Sequence, residues 1–109
     1  MTVTTSTASI EIVDNPDRDR YEARIDGELV GFADYQLTPK LVVFTHTEVV
    51  PACEGKGVGS ALAQFAMDDI RAAGQREVLP VCPFIKAWIG RHRDYIPLVF
   101  GARPSTAKD

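Results

Sequence analysis

The glycine spacing between Val49 and Gly74, in VVPACEGKGVGSALAQFAMDDIRAAG, is the plainest chemical signal in the chain. A hydrophobic run ends at Pro51, the turn Glu54-Gly55-Lys56-Gly57-Val58-Gly59 follows, and an amphipathic helix begins at once. The first turn of a helix leaves backbone N–H groups without partners, and aligned peptide dipoles make it partly positive. Phosphate oxygens bind there when the main chain can come close. Gly55, Gly57 and Gly59 remove the Cβ atoms that would hold an anion away, Lys56 adds a cation at the rim, and Ser60 opens the helix.

Three more side chains invite chemistry. Cys82 follows the apolar stretch Glu77 to Val81 and precedes Pro83, which suits the first position of a helix. A thiol at that point feels the helix dipole, which favours the nucleophilic thiolate; the same position also suits a small buried hydrophobe. Strand alternation along Leu41 to Val50 puts Phe44, His46, Glu48 and Val50 on one face, with Val43, Thr45, Thr47 and Val49 on the other. His46 and Glu48 then point the same way, next to Cys82. An imidazole takes up protons near neutral pH and a carboxylate can do so through a water, so either suits deprotonation of an amine; both also suit a solvated strand surface.

Three phosphate-binding turns compete for residues 54–60. A Walker A loop needs Lys after its last glycine, and here Lys56 comes before Gly57 and Gly59. A dinucleotide fingerprint needs a third glycine where Ser60 stands, and an acid at the end of the next strand, which instead ends in Cys82-Pro83. The third is the pyrophosphate turn Gln/Arg-x-x-Gly-x-Gly/Ala of the acetyl-CoA-dependent N-acetyltransferases related to Gcn5. Residues 54–59 resemble it, with Glu54 in place of Gln or Arg.

The flanks extend the resemblance. His46-Thr47-Glu48-Val49, the turn continuing through Ser60-Ala61-Leu62, and Val81-Cys82-Pro83-Phe84-Ile85 look like the minimal single-domain, YjdJ-type branch of that family, from Ile10 to Tyr95. The resemblance implies acetyl-CoA as cosubstrate, with its pyrophosphate on Glu54, Gly55, Lys56, Gly57, Val58, Gly59 and Ser60. It implies that the fourth and fifth strands splay apart and that Val49 and Val50 pair with the pantetheine amides. Glu48 matches the general base of larger relatives, and Cys82 a proposed active-site residue of the branch. The family's late tyrosine commonly stands seven positions after an asparagine; here that count runs from Cys82 to Ile89, and Tyr95 lies further along. Two helices that larger relatives insert after the first strand are missing, which leaves the acceptor side open.

The elements that must position these residues follow from periodicity. Ile10 and Ile12 begin a first strand, Tyr21 to Ile25 a second, Leu29 to Leu37 a third after the hairpin turn Asp26-Gly27, and Leu41 to Val50 a fourth. Val58, Ala61, Leu62, Phe65, Ala66, Ile70 and Ala73 form the apolar stripe of the first helix, closed by Gly74. Glu77 to Val81 reads as a parallel fifth strand, and Phe84, Ile85, Trp88, Ile89, His92 and Ile96 as the stripe of a second helix, with Lys86 and Arg91 facing away, where they suit a solvated basic face more than contact with the CoA 3′-phosphate. The expected fold is α/β (α+β): a mixed, mainly antiparallel five-stranded sheet with a parallel fourth–fifth pair and two helices. Residues 9–100 form the domain, with flexible tails at 1–8 and 101–109.

Composition excludes several classes. With 12 basic and 15 acidic residues there is no global field for nucleic acid or an anionic membrane, and no apolar stretch is long enough to span a bilayer. The N-terminal stretch is not a signal peptide, so a cytoplasmic setting is expected, with Cys53 and Cys82 as free thiols and no metal site. The reading is a minimal N-acetyltransferase acting on an amine, either a small molecule or a protein lysine or N-terminus, by direct attack or through acetyl-Cys82. The alternatives are a CoA- or acyl-CoA-binding module with little or no turnover, and a protein-interaction domain on the same scaffold.

Overall fold

A computed structural model describes residues 10–102. The tail expected at 1–8 lies outside the described residues, as does the tail expected at 101–109 apart from Gly101 and Ala102, which close a turn in which Ala102 N–H donates to Val99 O at 2.9 Å. Strands β1 (Ile10–Asn15), β2 (Arg20–Ile25), β3 (Glu28–Leu37) and β4 (Leu41–Val49) lead to helix α1 (Val58–Ala73), strand β5 (Glu77–Pro80) and helix α2 (Pro83–Arg91). Short 3-10 turns occupy Pro16–Arg18, Pro51–Cys53 and Arg93–Leu98. The sheet order is β1-β2-β3-β4-β5, antiparallel except for β4 and β5, which pair in parallel from Leu41↔Glu77 to Phe44↔Pro80.

Local chemistry explains the joints. Asp26 and Gly27 both have positive φ (52° and 83°), the mirror-image turn whose twist matches a two-stranded ribbon. A parallel pair needs a long crossover, which α1 supplies, and Gly74 ends it at φ 68° with its N–H on Ile70 O. α1 buries Val58, Leu62, Ala63, Ala66, Met67 and Ile70. Phe65, expected in that stripe, is 39% exposed at the rim of the core, where its ring meets that of Tyr21 edge-on with centroids 6.0 Å apart. α2 buries Ile85, Trp88 and Ile89 and then stops, so His92 and Ile96 fall outside it. Pro97 has no N–H to donate and its ring blocks the carbonyl of Arg93, so the tighter turn replaces the expected continuation.

One irregularity positions the site. Tyr35 pairs with Phe44 but Asp34 pairs with His46, which leaves Thr45 as a bulge in β4. Ahead of it Val42 and Phe44 face the helices and are buried. Beyond it Thr47 and Val49 continue that face, and His46 and Glu48 turn to the other, where no helix packs among the described residues. The simple alternation expected along this strand is therefore broken: one inserted residue exchanges the faces, so Phe44 and His46 lie on opposite sides.

Candidate functional site

A cleft of ≈ 450 Å³ opens between the end of β4, the glycine turn, the first turn of α1 and one face of α2. Thr47 and Val49 form its strand wall, Cys53, Glu54, Gly55 and Gly57 its floor, Val58, Gly59 and Ser60 its helical end, and Phe84, Trp88 and Arg91 the far wall. Gly55 and Gly57 have φ of 86° and 84°, a backbone region costly for any residue with a Cβ. Gly57 is the residue at which α1 starts, and no side chain caps it. The first intrahelical bond runs from Ala61 N–H to Gly57 O at 2.9 Å, so the amides of Val58, Gly59 and Ser60 face outward from the helix start. A Cβ at Gly59 would lie 2.7 Å from Phe84 Cζ, so glycine there is what lets α2 come close.

The cleft exists because β5 leaves the sheet early. Val81 N–H and Cys82 N–H both donate to Phe44 O, at 3.0 and 2.8 Å, and the chain then turns into α2. Past Phe44, β4 has no neighbour on that side. Val50 N–H donates to Val30 O at 2.8 Å, and in an antiparallel ladder backbone groups alternate in direction. His46, Glu48 and Val50 thus point their main-chain groups at β3, while Thr47 and Val49 present theirs to the gap. Val50 also accepts from Cys53 N–H at 2.9 Å, so its main chain is already engaged.

The sequence candidates separate into groups. Val49, Glu54, Gly55, Gly57, Val58, Gly59 and Ser60 line the cleft. Lys56 is exposed and does not line it, and Val50 lies on the other side of the sheet. Cys82 is 4% exposed and sits behind Thr47, with Sγ 3.4 Å from Thr47 Oγ1. His46 Nε2 and Glu48 Oε1 are 3.4 Å apart on the open face. Tyr95 is turned away, its hydroxyl donating to Asp68 Oδ1 at 2.7 Å, a bond that pushes its pKa up.

Thr47, Phe84 and Trp88 join the cleft against expectation, and Arg91 lines it where a solvated face was the favoured reading. Thr47 was hidden by the bulge. The other three repeat at the four- and three-residue spacing of one helix face, a pattern visible in the sequence, where it suits a core stripe with a solvated flank equally well. Trp88 joins the two helices: its indole N–H donates to Ser60 Oγ at 2.9 Å, and its ring stacks on His92 at 3.9 Å.

Two smaller hollows of ≈ 200 Å³ each lie elsewhere. One, at the far end of α1, holds Tyr21 O–H bonded to Asp69 Oδ2 at 2.8 Å and Tyr35 O–H bonded to Asp14 Oδ1. The other lies on the open face beside Glu48. Among the described residues no cluster of His, Cys, Asp and Glu could hold a metal, and no helix is long and apolar enough to cross a membrane.

Residues 20–98 match the family model described as GCN5-related N-acetyl-transferase. Among solved structures, the fold is similar to that of ribosomal-protein-alanine N-acetyltransferase from Brucella melitensis biovar Abortus 2308. The TM-score is 0.54 and the identity 22%, over 83% of this chain and 67% of that one. No curated protein matches the sequence.

Proposed function

Since the chain belongs to the GCN5-related N-acetyltransferase family, by a match over residues 20–98 of its 109, we propose that it is a minimal N-acetyltransferase binding acetyl-CoA in the cleft. The observation that carries this reading is the uncapped start of α1, opening into a cleft whose other wall is an unpaired strand edge.

The residues suit the ligand piece by piece. The amides of Val58, Gly59 and Ser60 meet the pyrophosphate at the positive end of α1. Ser60 Oγ accepts the Trp88 indole proton, which leaves the Ser60 hydroxyl proton free for a phosphate oxygen. Glu54 opposes an anion, and Arg91 in the facing wall offsets it. Thr47 and Val49 offer main-chain groups to the pantetheine as an added strand would.

Bound there, the thioester supplies an activated acetyl carbon: the acceptor nitrogen forms a C–N bond, the C–S bond breaks, and CoA leaves as the thiol after taking a proton. The acceptor arrives as an ammonium and must first lose a proton, which Glu48 or His46 accepts on the open face. The Cys82 thiol faces Thr47 rather than the cleft, which favours direct attack by the amine over an acetyl-Cys82 route.

Thermal denaturation with and without acetyl-CoA tests the binding half. Ligand at about 100 times its dissociation constant should add about 2.7 kcal/mol. No stabilisation by acetyl-CoA or CoA overturns the proposal. A second reading, a CoA-binding module with little turnover, is favoured by the unroofed face carrying His46 and Glu48. Transfer to an amine panel well above the rate of thioester hydrolysis removes it.

A further inference from the structure

On the face of the sheet away from the helices, Leu29, Phe32, Val50 and Pro51 surround a hollow of ≈ 200 Å³. Its walls are apolar except for one carboxylate, Glu48, whose side chain is 63% exposed. Val50 is itself 39% open to water. Among the described residues no Lys or Arg pairs with Glu48. The guanidinium of Arg20, which lies over the Phe32 ring at 4.7 Å, is held 2.8 Å from Glu22 Oε2 and so is committed elsewhere. Val49 belongs to the walls of both this hollow and the cleft, so a single strand separates the two spaces.

We propose that this hollow is the acceptor site and that the acceptor is a primary amine bearing one apolar group, its ammonium at Glu48 and its apolar part against Leu29, Phe32, Val50 and Pro51. The inference rests on the reading of the cleft as the acetyl-CoA site. A carboxylate at the rim of an apolar hollow, contacted by His46 but by no Lys or Arg among the described residues, is complementary to a single positive charge attached to hydrocarbon. A polyamine fits poorly, because its second ammonium would have to leave water for a wall that offers no acceptor. The amine nitrogen at Glu48 is also where a proton acceptor stands ready, with His46 next to it. Once neutral, the nitrogen attacks through the gap that β5 leaves beside Thr47 and Val49.

The test uses the full chain, isotope-labelled and titrated with hexylamine, with the terminal diamine of the same length, and with hexanol. Amide shifts report where each binds. Saturable shifts from hexylamine at Phe32, Glu48 and Val50, weaker binding of the diamine, and a loss of about fivefold in hexylamine affinity in Glu48→Gln support the proposal; that loss is the upper end for an ion pair open to water. Hexanol affinity should be unchanged by Glu48→Gln, and Leu29→Asn, which adds polarity without charge, should weaken hexanol and hexylamine alike. The proposal is overturned if the diamine binds as tightly, if the shifts gather around Asp14 and Asp69 instead, or if Glu48→Gln binds hexylamine as well as the parent. Acetyl-CoA binding is followed separately through Trp88 fluorescence. Acetyl-CoA in the cleft without amine in the hollow overturns this assignment alone; amine in the hollow without acetyl-CoA binding overturns the cleft reading and the acceptor role with it.

Discussion

Trp88 Nε1–H donates to Ser60 Oγ at 2.9 Å, which ties the middle of α2 to the first turn of α1. This bond holds the far wall of the cleft against the uncapped start of α1. Trp88→Phe loses the donor together with part of a fully buried indole, so stability should fall by about 2 kcal/mol or more in denaturant titration. Acetyl-CoA binding, followed by calorimetry, should weaken as well. Unchanged values for both would show that packing alone fixes α2.

The glycines separate two kinds of cost. Gly57→Ala forces a Cβ onto φ 84° and should destabilise the fold by about 1–2 kcal/mol. Gly59→Ala has an ordinary backbone but meets Phe84 Cζ at 2.7 Å, and Phe84 is 38% exposed and free to swing. Its ring would move into the cleft, so acetyl-CoA affinity should drop more than stability. Comparing melting temperature with dissociation constant for the pair checks this, and equal losses on both axes in Gly59→Ala would contradict it.

Cys82 should prove dispensable for chemistry. Cys82→Ala removes a buried side chain and should cost about 1 kcal/mol of stability while turnover stays within a few-fold of the parent. Radiolabelled acetyl-CoA should leave no label on the parent protein. A burst of labelled protein that disappears in Cys82→Ala would establish a covalent route.

Stability should fall at both ends of the pH scale. Burial alone would raise the pKa of Glu22, but hydrogen bonds from Arg20, Asn15 and Arg24 outweigh it and hold the carboxyl below its ordinary value of 4.5. Its contribution is present above about pH 4.5 and is lost as pH drops through the lower folded value. Tyr21 and Tyr35 are pushed up by burial first, then by their bonds to Asp69 and Asp14. Their contribution is present below about pH 10 and is lost above it. Denaturation midpoints across pH should show both limbs, with Glu22→Gln flattening the acid one and Tyr21→Phe the alkaline one.

The strands, their order and the glycine turn ahead of the first helix were legible because they rest on local rules. Asp26-Gly27 can hardly be anything but a hairpin, and glycines at 55, 57 and 59 directly before an amphipathic run leave few other uses. The bulge at Thr45 was not legible, since nothing in Leu41 to Val50 marks an inserted residue and the shift appears only against Asp34 and Tyr35. That one register change carried Thr47 into the cleft and His46 and Glu48 out of it. Val50 failed for the same reason: which amides a strand leaves unbonded depends on its neighbour's register. Arg91 and Trp88 needed knowledge of where α2 docks, which Gly59 and Phe84 decide between them.

The inserted threonine also bears on the order of events in a catalytic cycle. On the proposed arrangement the thioester enters from the helical side of β4 and the amine from the bare side, so neither blocks the other's doorway. Initial-rate plots should then intersect, as for a ternary complex assembled in either order, and a dead-end CoA analogue should compete with acetyl-CoA while remaining noncompetitive toward the amine.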